Sequence, residues 1–197
     1  MKKFNLFILF SFAICVISLV GCQKDGDNNK TPVIVGASAT PHAEILEQVR
    51  EDMDTLGYNL QIKVYDDYIQ PNLALDTGEL TANYFQHIRY LTSFNENRGT
   101  KLVSVAGIHY EPLAIYPGKI KTLEELKDGA TISIPNDSTN EARALLLLER
   151  LGLIKVDNNA GINATIRNIV DNPKNLQIRE SAAEQLVRSL SDIDMAV

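Results

Sequence analysis

Hydrophobic and polar positions divide the chain beyond residue 30 into short strand-like runs and longer stripes of helical period. Val33 to Ala37 is a buried-strand pattern, and within Pro41 to Leu56 the residues Ile45, Leu46, Val49, Met53 and Leu56 fall on one helix face. Gly57 ends that stripe. Leu60 to Tyr65 alternates with period two, Asp66 to Pro71 has loop composition, and Asn72 to Asp76 predicts a short helix closed by Gly78. Ala82 to Phe85 predicts a strand, His87 to Asn97 a helix stopped by Gly99, and Lys101 to Ile108 another alternating strand. Leu113 to Tyr116, bracketed by Pro112 and Pro117, predicts a strand immediately afterwards. Thr122 and Glu125 have capping-box spacing for a short helix ending at Gly129. Toward the end, Leu176 to Arg179 predicts a strand, Ala182 to Leu190 a helix, and Ile193 to Val197 a last strand. This alternation predicts an α/β protein with mostly parallel sheets covered by helices.

The richest segment is Thr131 to Gly152. Thr131 to Ile134 alternates as a strand and Pro135-Asn136-Asp137 breaks it. Ser138 and Glu141 then form an S-x-x-E capping box, so a helix is expected from near Thr139, through Leu145 to Leu148 and Leu151, to a C-cap at Gly152. Asn140 and Arg143 are three apart and share a face of that helix. Helix-start N–H groups, the positive dipole end and a guanidinium fork would together hold a small anion such as an amino-acid carboxylate. By the same spacing, Arg143 reads equally as a solvated helix residue.

Charge and cysteine content set the compartment. Lys2 and Lys3 precede an apolar run from Phe4 to Val20 that is too short and too interrupted for a comfortable membrane span. It predicts a signal peptide over residues 1–21, ending in the lipobox-like Leu19-Val20-Gly21-Cys22. Cys15 would leave with the signal, so Cys22 would be unpaired and available for lipid, holding the protein at a membrane surface. Residues 22–30 read as a flexible tether. Removing residues 1–21 takes the formal charge from −6 to −8, which argues against a nucleic-acid partner. The hydrophobic content of 45% fits a globular domain or two lobes.

Two lobes fit better than one sheet, residues 31–115 and 116–197, because Glu111 to Lys119 carries two prolines and Gly118 at the crossing. Ligands of open α/β sheets bind beyond the carboxyl ends of strands. Three such loops stand out: Asp66-Asp67-Tyr68, Phe85-Gln86-His87 and Pro135 to Asn140. Together they predict a cleft with aromatic groups on one wall and Asn140 with Arg143 on the other, suited to a small zwitterion with an apolar side chain. Each residue also has a plain structural use. Tyr68, Phe85 and Tyr90 could be packing residues, His87 a helix-start histidine, and Asn136 a turn residue. His42 and His109 have no assigned role; three histidines raise a metal-binding lipoprotein as an alternative, but their separations match no short metal-ligand motif.

The segments DDYIQPNLAL, ANYFQHIRYL and IPNDSTNEARALLLLERLGLIK resemble the NlpA lipoprotein family, the methionine-binding lipoproteins of ATP-driven (ABC) methionine importers. The likeness extends through KLVSVAGIHYEPLAIYPGKIKTLEELKDG and NIVDNPKNLQIRE to the last residue. It implies a two-lobed, periplasmic-binding-protein-like (type II) fold closing on L-methionine, delivery to a permease and its ATPase, and a lipid anchor on Cys22. Carried over by position, the resemblance puts the carboxylate on Arg143 with support from Asn140, and lines the thioether pocket with Tyr68, Phe85, His87 and Tyr90. No cofactor is implied.

Members of that family continue past the point matching Ala196-Val197, so the second lobe is expected to be incomplete and the chain a fragment with impaired closure and affinity. Within the binding class the alternative ligands are a methionine-containing dipeptide or another amino acid. Two other classes compete: a surface lipoprotein with a protein partner, and a small hydrolase using Ser38, Ser104 or Ser138. No Gly-x-Ser-x-Gly elbow supports the hydrolase.

Overall fold

A computed structural model describes residues 30–197; the expected signal segment, Cys22 and the expected tether up to residue 29 lie outside the described residues. The first half builds a three-stranded sheet in the order β2-β1-β3 from β1 (Thr31–Ser38), β2 (Tyr58–Tyr65) and β3 (Ala82–Tyr84). All pairs are parallel, with Thr31 opposite Tyr58, Ser38 opposite Tyr65, and Val35 opposite Ala82. Central β1 is apolar on both faces because both are covered, and Val35, Ala37 and Leu60 are buried. Crossovers run through α1 (Glu44–Gln48) and α2 (Arg50–Thr55), then α3 (Gln70–Asp76), and α4 (Ile88–Arg98) follows β3.

The stripe from Ile45 to Leu56 does not form one helix. Val49 leaves helical geometry at φ −99° and ψ 3°, so α1 and α2 are separate, and the face breaks: Val49 and Leu56 are exposed while Ile45, Leu46 and Met53 are half-buried. By contrast, α4 ends where expected, with Gly99 left-handed at φ 71°.

The second half builds a four-stranded sheet in the order β4-β9-β5-β8: β4 (Tyr116–Pro117), β5 (Thr131–Pro135), β8 (Gln177–Ser181) and β9 (Met195–Ala196). β5 runs parallel to both β8 and β9, and β4 is antiparallel to β9. Helix α5 (Ser138–Arg150) lies across β5 through Ala144, Leu145 and Leu148, which meet Ile132 and Ile134 in the core. These last four large side chains are fully buried, each contributing roughly 1.5 to 3 kcal/mol. A short antiparallel pair, β6 (Lys155–Val156) with β7 (Ile169–Asp171), forms a separate two-stranded sheet that the residue pattern does not predict.

Several expectations are corrected. Residues 101–115 form no strand: the alternation from Lys101 to Ile108 is present, but the segment has no strand partner among the described residues, and Val103, Val105 and Ile108 are exposed. Its start is pinned instead by Asn95, whose side chain bonds both the N–H and the C=O of Leu102. The strand expected at Leu113 to Tyr116 shrinks to β4, because only Tyr116 and Pro117 find Ala196 and Met195. The helix expected after Thr122 is a single 3-10 turn, Leu123–Glu125, since Glu125 reaches back to the N–H of Lys121 and no Thr122 side-chain cap forms. The helix expected over Ala182 to Leu190 is a 3-10 turn, Ala183–Gln185, followed by α6 (Leu186–Ser189). Among the described residues no helix is long and apolar enough to cross a membrane.

Candidate functional site

Strands β1, β2, β3 and β5 deliver their C-terminal ends, Ser38, Tyr65, Tyr84 and Pro135, to the loops that carry the candidate residues. From β2 comes Tyr68, and from β3 come Phe85 and His87, with Tyr90 one turn into α4. The three six-membered rings form one cluster: Tyr68 lies 5.8 Å from Phe85 and 6.1 Å from Tyr90, and Phe85 is 6.1 Å from Tyr90 in an edge arrangement. The Tyr90 hydroxyl donates to the carbonyl of Tyr68 at 3.0 Å, tying the two loops together. Burial raises the pKa of both tyrosines, Tyr90 to about 12 with further contributions from Asp137 and Asp67, so both keep their protons at neutral pH.

The order of these loops rests on amides that sequence patterning missed. Asn72, fully buried at the start of α3, accepts from Asn83 at 2.8 Å and from Gln86 at 2.7 Å, and donates back to Gln86 at 3.0 Å. A buried amide satisfied on both ends fixes the strand-to-helix turn that aims Phe85 and His87. The only sequence signal was an asparagine where a helix begins beside a loop already singled out.

On the other wall, α5 is capped by Asp137 rather than by Ser138. Asp137 Oδ1 accepts from the Asn140 N–H at 3.0 Å and from the Thr139 hydroxyl at 2.9 Å, and Ser138 is already helical. Glu141 does not reach back to the cap; it is buried and accepts from the Ile166 N–H at 2.9 Å, fastening α5 to the turn before β7. This changes the anion chemistry. The Asp137 carboxylate occupies the helix start and would repel a ligand carboxylate there, so the attractive group is Arg143, one turn further on.

Asn140 links the walls. Its Oδ1 accepts from Arg143 Nη1 at 2.7 Å and lies 3.1 Å from His87 Nε2, while its Nδ2 donates to Asp137 Oδ2 at 3.0 Å. His87 caps α4 by accepting the Tyr90 N–H on Nδ1 at 3.1 Å. That assigns the proton of neutral His87 to Nε2, which donates to Asn140. Burial lowers the His87 pKa, the Asn140 bond partly offsetting it and Arg143 adding to it. Arg143 is half-buried, and its Nη2 donates to the carbonyl of Glu111 in the crossing segment at 3.3 Å. The structure thus brings His87, Asn140 and Arg143 into one chain of hydrogen bonds beside the Tyr68–Phe85–Tyr90 cluster. His42 and His109, without a role from sequence, meet at Glu111 near the end of β1.

Two mostly parallel α/β sheets whose loops meet through the His87–Asn140 hydrogen bond have the two-lobed fold of substrate-binding proteins. The NlpA lipoprotein family model matches residues 33–197, and the chain belongs to that family. It is 42% identical over 198 residues to the D-methionine-binding lipoprotein MetQ of Escherichia coli K12, covering 99% of this chain and 72% of that relative. The methionine-binding lipoprotein MetQ of Bacillus subtilis is 40% identical over 186 residues, 93% of this chain and 68% of its own length. Among solved structures, a nutrient binding protein from Burkholderia cenocepacia bound to methionine superposes with a TM-score of 0.80 at 44% identity, covering 84% of this chain and 70% of that one.

Proposed function

We propose that the protein captures L-methionine, or a closely related ligand, between its lobes and delivers it to an ATP-driven permease. The observation that carries this reading is the pairing of the His87–Asn140–Arg143 chain with the Tyr68–Phe85–Tyr90 cluster. Arg143 has five N–H donors, of which two bonds are used internally, leaving a partly formed fork for a carboxylate. Asp137, joined to Arg143 through Asn140, supplies the opposite charge that an ammonium group needs. Aromatic rings offer a thioether favourable sulfur contacts of roughly 0.3 to 1.5 kcal/mol each, which a purely aliphatic wall would lack. The names of the relatives point to methionine, the Escherichia coli protein being named for D-methionine and the Bacillus subtilis protein for methionine.

In this reading residues 31–115 form the first lobe and 116–197 the second. Residues 1–21 are a signal peptide, residues 22–30 a tether, and Cys22 carries the lipid that holds the protein on the extracytoplasmic side of a membrane. The role is transport, with no catalytic step. Thermal melting against a panel of free amino acids tests it. A ligand present at about 100 times its dissociation constant stabilises the folded state by about 2.7 kcal/mol, so methionine should raise the melting temperature and aspartate or lysine should not. A panel with no selective shift for methionine contradicts the proposal.

A further inference from the structure

His42, on the turn beyond β1, and His109 and Glu111, in the extended crossing segment, are distant in sequence and converge beside the aromatic cleft. His42 is 6% exposed, its Nδ1 lies 2.6 Å from the Ser38 hydroxyl, and its Nε2 faces Glu111 Oε1 at 3.8 Å. His109 repeats the pattern, with Nδ1 2.5 Å from the Tyr84 hydroxyl and Nε2 2.8 Å from the same Glu111 oxygen. Each imidazole therefore has a hydroxyl partner on Nδ1 and turns Nε2 toward one carboxylate. In the metal-bound form, hydroxyls that accept from Nδ1–H would free both Nε2 lone pairs for the ion, the outer-shell arrangement that orients histidine ligands, whereas without metal His109 Nε2–H donates to Glu111.

A hydrogen-bonded cluster alone accounts for less of this geometry. His109 by itself satisfies the inward oxygen of Glu111, and His42 Nε2 at 3.8 Å is beyond hydrogen-bond length. The prospective donor atoms of the three residues lie within 4.8 Å of one another. Metal–ligand bonds of about 2.0 to 2.2 Å at tetrahedral angles bring donors to roughly 3.3 to 3.6 Å apart. Reaching that spacing asks for adjustments of about an ångström, and the residues that would move, His109 and Glu111, lie on an exposed segment with no strand partner among the described residues.

We propose that His42, His109 and Glu111 bind a divalent transition-metal ion of the zinc class, with Ser38 and Tyr84 orienting the two imidazoles. Two imidazoles and one carboxylate are a donor set that zinc accepts, with a fourth position left to water. The ion would fasten the crossing segment to the end of β1. Because the Glu111 carbonyl accepts from Arg143, it would steady the same stretch of backbone that touches the methionine cleft.

The test is calorimetric titration of zinc chloride into the purified, metal-stripped full chain in detergent and a non-coordinating buffer. The expected result is one ion per chain with micromolar or tighter affinity, weakened at least about tenfold by His109→Ala and by Glu111→Gln. Both positions lie on the exposed crossing segment, and melting curves without metal check that the variants fold. X-ray absorption at the zinc edge of the parent protein is an independent measurement that needs no variant. It should show nitrogen and oxygen neighbours with imidazole scattering. Absence of saturable binding, affinity unchanged in both folded variants, or a sulfur-containing shell would overturn the proposal.

Discussion

Replacing Arg143 with alanine removes the guanidinium that donates to Asn140 in the proposed site. The guanidinium is half-buried and held by a 2.7 Å bond to Asn140 and a 3.3 Å bond to the Glu111 carbonyl. A carboxylate about 4 Å from that charge is attracted by about 1 kcal/mol in water and about 4 kcal/mol at an effective dielectric of about 20. Half-burial places the loss at about 2 to 4 kcal/mol, equivalent to roughly 30-fold to 1,000-fold in affinity. Stability should fall much less, by about 1 kcal/mol, because Asn140 Oδ1 keeps His87 as a partner. Titration calorimetry with L-methionine on the parent, Arg143→Ala and Arg143→Lys separates charge from geometry. Lysine keeps the charge and loses the fork, so its affinity should fall between the other two. If folded Arg143→Ala binds methionine within about threefold of the parent, below the about 2 kcal/mol expected, Arg143 is not the carboxylate clamp.

Four further outcomes follow from the same geometry. Burial lowers the pKa of His87, so between that value and the ordinary histidine value the unfolded chain binds more protons; stability is full above about pH 6.5 and falls as pH drops through the folded pKa. Melting curves of His87→Gln should lose less stability than the parent between about pH 7.5 and 5.5, and an identical slope would refute the assignment. His42, also lowered mainly by burial, contributes to both proteins and cancels in the difference. Leu145→Ala, at a fully buried position between α5 and β5, should cost about 2 to 5 kcal/mol in denaturant unfolding, whereas Val105→Ser at an exposed site should stay within about 0.5 kcal/mol. Gly118→Ala should destabilise the β4–β9 pair, because a Cβ there runs into the backbone oxygens of Ile193 and Leu190; an unchanged melting temperature would show the pair to be loose. Cys22→Ser should abolish incorporation of labelled palmitate, and persistent labelling would move the anchor elsewhere.

Where a residue's neighbours are local, the sequence carried the answer. Alternation in Leu60 to Tyr65 set which side chains face inward, whereas in Thr131 to Ile134 both faces are covered and Ser133 is buried with its apolar neighbours; the glycines after α2, α4 and α5 marked ends that the backbone confirms with φ of 84°, 71° and 73°. The loops carrying Tyr68, Phe85, His87, Asn140 and Arg143 followed, because they come straight after strands whose parallel order puts their ends together. Non-local partners were not legible. Lys101 to Ile108 has the alternation of a strand, yet pairing depends on a neighbour that its own pattern cannot specify. Asp137 and Ser138 are both good N-cap residues, and the choice between them rests on the extended backbone of Asp137 at φ −80° and ψ 139°. The amides of Asn72, Asn83 and Gln86 have no periodicity to read, and neither does the meeting of His42 with His109 and Glu111. Two-residue strands such as β6 are too short to show a period at all.

The central claim is that Arg143, steadied by Asn140, holds the carboxylate of methionine while the ring cluster holds its side chain. A crystal structure of the chain with L-methionine tests it most directly. The account predicts the ligand carboxylate within hydrogen-bond distance of the Arg143 guanidinium and the thioether among Tyr68, Phe85 and Tyr90. Methionine bound with its carboxylate away from Arg143, or seated outside the space between the two lobes, would contradict it.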